Sequence, residues 1–159
     1  MRQGEAIMQL IDLLDKAEYR QIQILQIVLS QSQPTPISAI AKRLNTMRST
    51  VRDDLVALQE RINDECSESR IVLMNGQTPT VSFAHTEAIS LSDVYWRYVR
   101  DSLKYQILLY LLSHDHIDAK KISTELNISN STIIRRLREI NQSLASFDLH
   151  LHNYQIVGS

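Results

Sequence analysis

Apolar residues recur every three or four positions through most of this chain, the spacing of helices with one buried face. The first clear stretch is Ala17 to Gln31, where Ile24, Leu25, Val28 and Leu29 share a side. Pro34 and Pro36 then break the chain. Ser38 is expected to cap a short helix that finishes near Leu44, and Asn45-Thr46-Met47 to turn the chain. A longer helix follows from about Arg48 to Asn63, on a stripe of Val51, Leu55, Leu58 and Ile62. The period then changes. Arg70-Ile71-Val72-Leu73-Met74 and Thr80-Val81-Ser82-Phe83 are β-prone runs on either side of Asn75-Gly76-Gln77-Thr78-Pro79, which predicts a hairpin. Helical spacing returns from Ser92 to about Ser113, through Val94, Tyr95, Tyr98 and Val99 into Leu103, Ile107, Leu108, Leu111 and Leu112. It reads as one helix, or as two with a break near Asp101-Ser102. Asp118 is expected to cap a short helix ending at Leu126, and Asn127-Ile128-Ser129 to turn. Asn130 to Ala145 forms the last helix, on Ile133, Leu137, Ile140 and Leu144. Phe147-Asp148-Leu149-His150-Leu151 alternates and Tyr154-Gln155-Ile156-Val157 follows, a second hairpin.

These elements come twice. Leu44-Asn45-Thr46-Met47-Arg48-Ser49-Thr50-Val51 is echoed by Leu126-Asn127-Ile128-Ser129-Asn130-Ser131-Thr132-Ile133, and Gln23-Ile24-Leu25 by Gln106-Ile107-Leu108. A period this long means one supersecondary unit used twice. Each unit reads as a helix-turn-helix followed by a hairpin, which is a winged helix. The tight corner between the helices wants a residue that tolerates positive φ, and both units place Asn there. The expected fold is mainly α with small β-hairpin wings: two tandem winged helix-turn-helix domains joined by a helix. The first would span residues 1–85 with an N-terminal extension, the helical connector 86–101 and the second domain 102–159.

Composition narrows the class. The 159 residues are 43% hydrophobic and 22% charged, ordinary for a globular protein, and only 3 Gly and 3 Pro disfavour an all-β sandwich with its many turns. No apolar run approaches the roughly 18 residues of a membrane span. The start of the chain mixes Glu5, Gln9 and Asp12 among its apolar positions, unlike a signal peptide. The single cysteine, Cys66, has no partner for an internal disulfide and lies among acids, which disfavour a thiolate. These features predict a cytoplasmic protein.

A helix-turn-helix presents the N-terminal end of its last helix to base edges in the major groove of DNA. Facing away from the first apolar stripe are Arg48, Ser49, Arg52 and Asp53; the matching positions in the second unit are Asn130, Ser131, Ile134 and Arg135, with Arg136 and Arg138 beside them. Arg pairs bidentately with guanine and Asn with adenine, while Ser49, Thr50, Ser131 and Thr132 can donate to phosphate or cap the helix. The candidate DNA-binding set is Arg48, Ser49, Arg52, Asn130, Ser131, Thr132, Arg135, Arg136 and Arg138. The formal net charge of -1 and pI near 6.5 run against the usual basic footprint. Local charge is different: from Lys120 to Glu139, five cations oppose Glu125 and Glu139 alone. The first unit is the weaker reader, because Asp53 and Asp54 sit on or next to its face and would repel phosphate. At the wing tips, Gln77 and Thr78 in the first unit and His152 and Asn153 in the second are lesser candidates.

Other chemistry finds little support. His114-x-His116 and His150-x-His152 lack a neighbouring acid or cysteine cluster, so they are read as solvent-exposed and no metal is expected. Tyr95, Trp96, Tyr98 and Tyr105 are read as packing residues of the connector. Gly4, Gly76 and Gly158 make no phosphate-cradling loop, and no catalytic residue or cofactor is expected.

The order of motifs resembles a known family. Leu13-Leu14-Asp15-Lys16, Arg20, Ile24-Leu25 and Thr50-Val51-Arg52-Asp53-Asp54-Leu55 look like the N-terminal region of the Mga/AtxA-type transcriptional regulators. Ser102 with Gln106-Ile107-Leu108, Leu126 to Thr132, Arg135, Asn141, Leu144, Phe147 and Ile156-Val157-Gly158 are similar to that family's second DNA-binding segment. The resemblance implies a regulator of virulence or sugar-related genes in Gram-positive bacteria. It implies phosphotransferase-regulated domains and a homodimerising domain beyond Ser159, this chain being the DNA-binding half. An Asp in the first reading helix is common in that family. The partner expected on this reading is double-stranded DNA, without a membrane. The alternative is a protein-interaction scaffold, since paired winged helices also occur in ScpB-like chromosome-segregation modules; exposed charge over Arg48/Arg52 and Arg135/Arg138 separates the two.

Overall fold

The computed structural model describes residues 11–65, 69–85 and 90–158. The chain divides into two compact units, Lys16–Trp96 and Arg97–Ser159, the latter completed by Met1–Asp15. The division falls inside a helix, whereas the sequence boundaries lie on either side of it, at 85 and 102.

In the unit of residues 16–96, α1 (Lys16–Leu29) is followed by β1 (Thr35–Pro36), α2 (Ile37–Arg43) and α3 (Arg48–Glu65). The hairpin β2 (Ser69–Met74) and β3 (Thr80–His85) closes it. Ile24, Leu25, Ile40, Val51, Leu55 and Leu58 are fully buried, so the expected apolar stripes are the core. The sheet is antiparallel in the order β1-β3-β2. Its two-residue strand β1 was not legible from propensity. Thr35 pairs with Val81 and Pro36 with Thr80; Pro is tolerated there because an edge strand needs no donor from it. This pairing also displaces the expected cap. Pro36, not Ser38, precedes α2 and makes no side-chain cap bond. The Ile37 amide is satisfied by the Pro79 carbonyl at 3.0 Å instead.

α4 (Leu91–Asp101) runs across the division, and α5 (Leu103–Ser113), α6 (Ala119–Leu126) and α7 (Asn130–Leu144) follow. The break between α4 and α5 stands at Ser102: its hydroxyl donates to Val99 O at 2.7 Å and accepts from the Tyr105 amide at 3.3 Å, capping α5. Asp118 caps α6 by accepting from the Lys121 amide at 2.8 Å. Ile107, Leu111, Ile122, Ile133, Ile140 and Leu144 form the core, with Leu137 half-buried at its edge. The wing is β4 (Leu149–His152) and β5 (Gln155–Gly158). Its two-residue loop puts Asn153 and Tyr154 both at positive φ, 49° and 62°, which matches the right-handed strand twist as a type I′ turn does. The 3-10 turn Ile11–Leu13 packs against α5 and α7, and Lys104 Nζ donates to Asp12 O at 2.8 Å.

The two helix corners are congruent. Asn45 has φ 51° and Asn127 φ 53°. The Thr46 amide reaches back to Ala41 O at 3.0 Å, and Asn45 to Lys42 O at 3.3 Å; Ile128 reaches Ser123 O at 3.0 Å, and Asn127 Thr124 O at 3.4 Å. This is the paired closure of a left-handed helix end, which satisfies carbonyls the helix leaves open. Asn127→Gly should leave thermal stability nearly unchanged, whereas Asn127→Val should cost about 1–2 kcal/mol through the forced left-handed backbone. Equal midpoints for the two variants in chemical denaturation would contradict this account of the corner.

Candidate nucleic-acid interface

What leaves each corner is a helix with one face in the core and the other in solvent. On α7 the N-cap is Ser129, whose hydroxyl accepts from the Thr132 amide at 3.3 Å and lies 2.8 Å from the Thr132 hydroxyl. Ser131 is therefore free of the capping role; it is exposed, with its hydroxyl 3.3 Å from that of Ser129, while Thr132 is half-buried. Asn130, Arg135 and Arg138 are exposed. Neither Arg135 nor Arg138 has a carboxylate partner among the described residues. On α3, Arg48, Ser49, Arg52 and Asp53 are exposed, and Met47 stands 71% exposed where the second unit has its capping serine.

Two of the charged residues turn inward. Asp54, expected on or beside the reading face, is only 4% exposed. Its carboxylate accepts from Arg20 Nε and, at 3.1 Å, from Arg20 Nη2, with Gln21 Nε2 at 3.4 Å. It ties α3 to α1, whereas Asp53 is exposed. At the corresponding position of α7 stands Arg136, whose Nη1 donates to Glu139 Oε2 at 2.8 Å. Lys104 on α5 reaches the same oxygen at 3.2 Å. Arg136 is thus held by the protein, and Arg135 and Arg138 are left to face solvent. Burial penalises the Glu139 carboxylate, but hydrogen bonds and charge from Arg136 and Lys104 outweigh it and hold its pKa below the usual carboxylate range.

A second pair of contacts fixes each wing to its reading helix. Gln59 Nε2 on α3 donates to Ile71 O in β2 at 3.0 Å. At the matching position of α7, Asn141 Oδ1 accepts from the Leu151 amide in β4 at 2.6 Å. Neither latch was foreseen from the sequence; an amide at the same place in each repeat was the available signal. The wings consequently flank the reading helices. Arg48 and Arg52 share a groove with Gln77 and Thr78 of the first wing tip. Ile134 and Arg138 share one with Asn153 and Tyr154 of the second. His150 and His152 are exposed on β4, His114 stacks on Tyr110 with ring centres 4.0 Å apart, and no cluster of metal-ligating side chains occurs among the described residues. In the connector Tyr98 is fully buried and Trp96 exposed. Cys66 lies outside the described residues.

Comparison with known proteins agrees with this geometry. Residues 87–159 match the Mga helix-turn-helix domain, and residues 20–65 match an HTH domain. Both units are helix-turn-helix domains, and the chain is similar to the N-terminal DNA-binding region of Mga-type regulators. A protein of Streptococcus pneumoniae serotype 4 (strain ATCC BAA-334 / TIGR4), named as a trans-acting regulator, is 24% identical over 151 residues. That match covers 93% of this chain and 29% of the relative, so the chain spans less than a third of the relative's length.

Removing the α1–α3 tie by Asp54→Ala should lower stability by about 1–3 kcal/mol, because the hydrogen-bonded ionic contact between Asp54 and Arg20 is lost in a part-buried site. A urea midpoint within error of the parent's would refute that role. Glu139 gives a pH signature. Its folded-state pKa lies below the unfolded value, so its contribution to stability is present at neutral pH and is lost as the pH falls through the folded pKa. Stability should therefore drop as the pH falls below the ordinary glutamate range, and Glu139→Gln should make that drop shallower. Superimposable acid profiles of the two proteins would show that the Lys104–Glu139–Arg136 contact carries no stability.

Proposed function

We propose that this chain binds duplex promoter DNA through α3 and α7, as the DNA-binding region of a bacterial transcriptional regulator. The observation that carries the reading is Arg135 and Arg138, exposed and without a carboxylate partner among the described residues, on a helix that leaves a left-handed corner. Asn130 and Ser131 at the start of α7 reach base edges and phosphate; Arg48, Ser49 and Arg52 do the same from α3, with Thr132 lending its hydroxyl at the helix end. Arg136 acts as a positioning residue through Glu139. The exposed cations favour this over the scaffold reading, in which the same helices would grip a protein. The homodimer that the resemblance implies belongs to the same reading, as does a cytoplasmic location. No helix among the described residues is long and apolar enough to cross a membrane. The role asks for no catalytic residue and no cofactor.

Net neutrality makes the electrostatics local, so affinity should fall steeply with salt. In a gel-shift titration of the chain on promoter fragments, Arg135→Ala with Arg138→Ala should weaken binding at least tenfold. Removal of each cation that neutralises a phosphate should lower the logarithmic salt slope by about 0.9. Arg136→Ala should act mainly on stability. Absence of binding at low salt, or binding untouched by the double change, would sink the proposal.

A further inference from the structure

The reading face of α7 has a hydrocarbon at its centre. Asn130, Ile134 and Arg138 follow one another at four-residue intervals, so they line one side of the helix. Ile134 is 40% exposed between two exposed polar residues. Its neighbour Ile133 is fully buried and belongs to the core; Ile134 is not among the residues packed on that core. Core burial therefore does not account for it, and a β-branched residue is a mediocre choice for an exposed helix position. The corresponding position in the first unit holds exposed Arg52, which shows that the architecture accepts a cation there.

The surroundings keep Ile134 presented. It lines a shallow groove with Leu137, Arg138, Asn141, Leu151 and Tyr154, and the Asn141–Leu151 latch holds the wing that forms the far wall. In the major groove the apolar feature of a base edge is the C5-methyl of a pyrimidine: thymine, or 5-methylcytosine where the DNA is modified. From these observations we infer that Ile134 is a specificity-determining residue that reads the C5-methyl group of a pyrimidine. Asn130, one turn nearer the helix start, and Arg138, one turn further on, contact the flanking bases or phosphates. This rests on the DNA-binding reading above and adds to it the chemical group recognised at one position of the site.

The test uses the chain and a duplex that it retains from a randomised pool. Each thymine is replaced in turn by uracil, which removes the methyl and nothing else, and each cytosine in turn by 5-methylcytosine, which adds it. For the parent, uracil at one or two positions should weaken binding about three- to fivefold, the effect of one buried methyl. Ile134→Ala should bind the thymine duplex about as weakly as the parent binds that uracil duplex, and should not distinguish the two. Should the retained site carry a cytosine there, 5-methylcytosine should tighten parent binding by the same factor and leave Ile134→Ala indifferent. Ile134→Arg, carrying the first unit's residue, should bind all duplexes with a steeper salt dependence and no methyl preference. If the parent binds duplexes but no methyl substitution is silenced by Ile134→Ala, this inference fails and the DNA-binding reading stands. If Ile134→Ala leaves DNA binding intact but abolishes association with a protein, the residue is a docking contact and the inference fails. If the parent binds no duplex at low salt, both fail together.

Discussion

Two asparagines in the left-handed region decide what the rest of this protein can be. The helix ahead of each corner is closed by one residue that reverses the backbone twist, a common way for a helix to end. For most side chains that reversal costs about 1–2 kcal/mol. Asn45 and Asn127 accept it, at φ 51° and 53°, and the amides at each corner close onto carbonyls of the preceding helix. Everything downstream inherits the result. The corner sets where α3 and α7 begin, the apolar stripe sets which side goes inward, and the N-terminal turn is left facing solvent. Glycine would bend as easily, but it would leave the unfolded chain freer and give the corner less rigidity.

Charge does two separate jobs on these helices. Asp54 on α3 and Arg136 on α7 occupy corresponding places in the repeat, and both are turned toward the protein with opposite signs. One is matched by Arg20, the other by Glu139, which also holds Lys104. Charges spent this way do not describe the surface. Asp54 and Glu139 count in the formal net charge of -1 together with the Arg20, Arg136 and Lys104 that pair with them, so the sum does not show where the exposed charge lies. A pI near neutrality is therefore weak evidence against DNA contact in this chain.

Much of this was legible in the sequence because it is enforced locally. Helical periodicity located the buried faces, the Asn residues located the corners, Asp118 announced its cap, and the strand runs around residues 75–79 and 152–154 announced the wings. Interactions between elements were less accessible. Thr35–Pro36 is a strand only because β3 offers it partners, and that pairing removed the need for Ser38 as a cap. Asp54 looked like a surface acid because spacing shows that a residue is off the apolar stripe without showing that an arginine on α1 awaits it. Gln59 and Asn141 looked like ordinary polar helix residues, since nothing local announces a hydrogen bond to a strand ten or more positions away.

Setting the repeats against each other separates architecture from recognition. The corner asparagine, the Ser-Thr pair that follows, the apolar stripe and the latch amide recur in kind in both units: Asn45 and Asn127, Ser49-Thr50 and Ser131-Thr132, Val51-Leu55-Leu58 and Ile133-Leu137-Ile140, Gln59 and Asn141. Apart from the inward-turned Asp54 and Arg136, the positions that differ most in chemistry are exposed ones. Arg48, Arg52, Asp53 and Val56 stand where the second unit has Asn130, Ile134, Arg135 and Arg138, and all eight are exposed. Packing constrains none of these side chains, so their differences cost the fold little. On the DNA-binding reading proposed above, this divergence would let the two helices make different contacts. On that reading, Arg48 and Arg52 of the first helix would meet phosphate or guanine, with the exposed Asp53 limiting the contact. On the second, the amide–methyl–guanidinium series has the chemical variety that base readout needs.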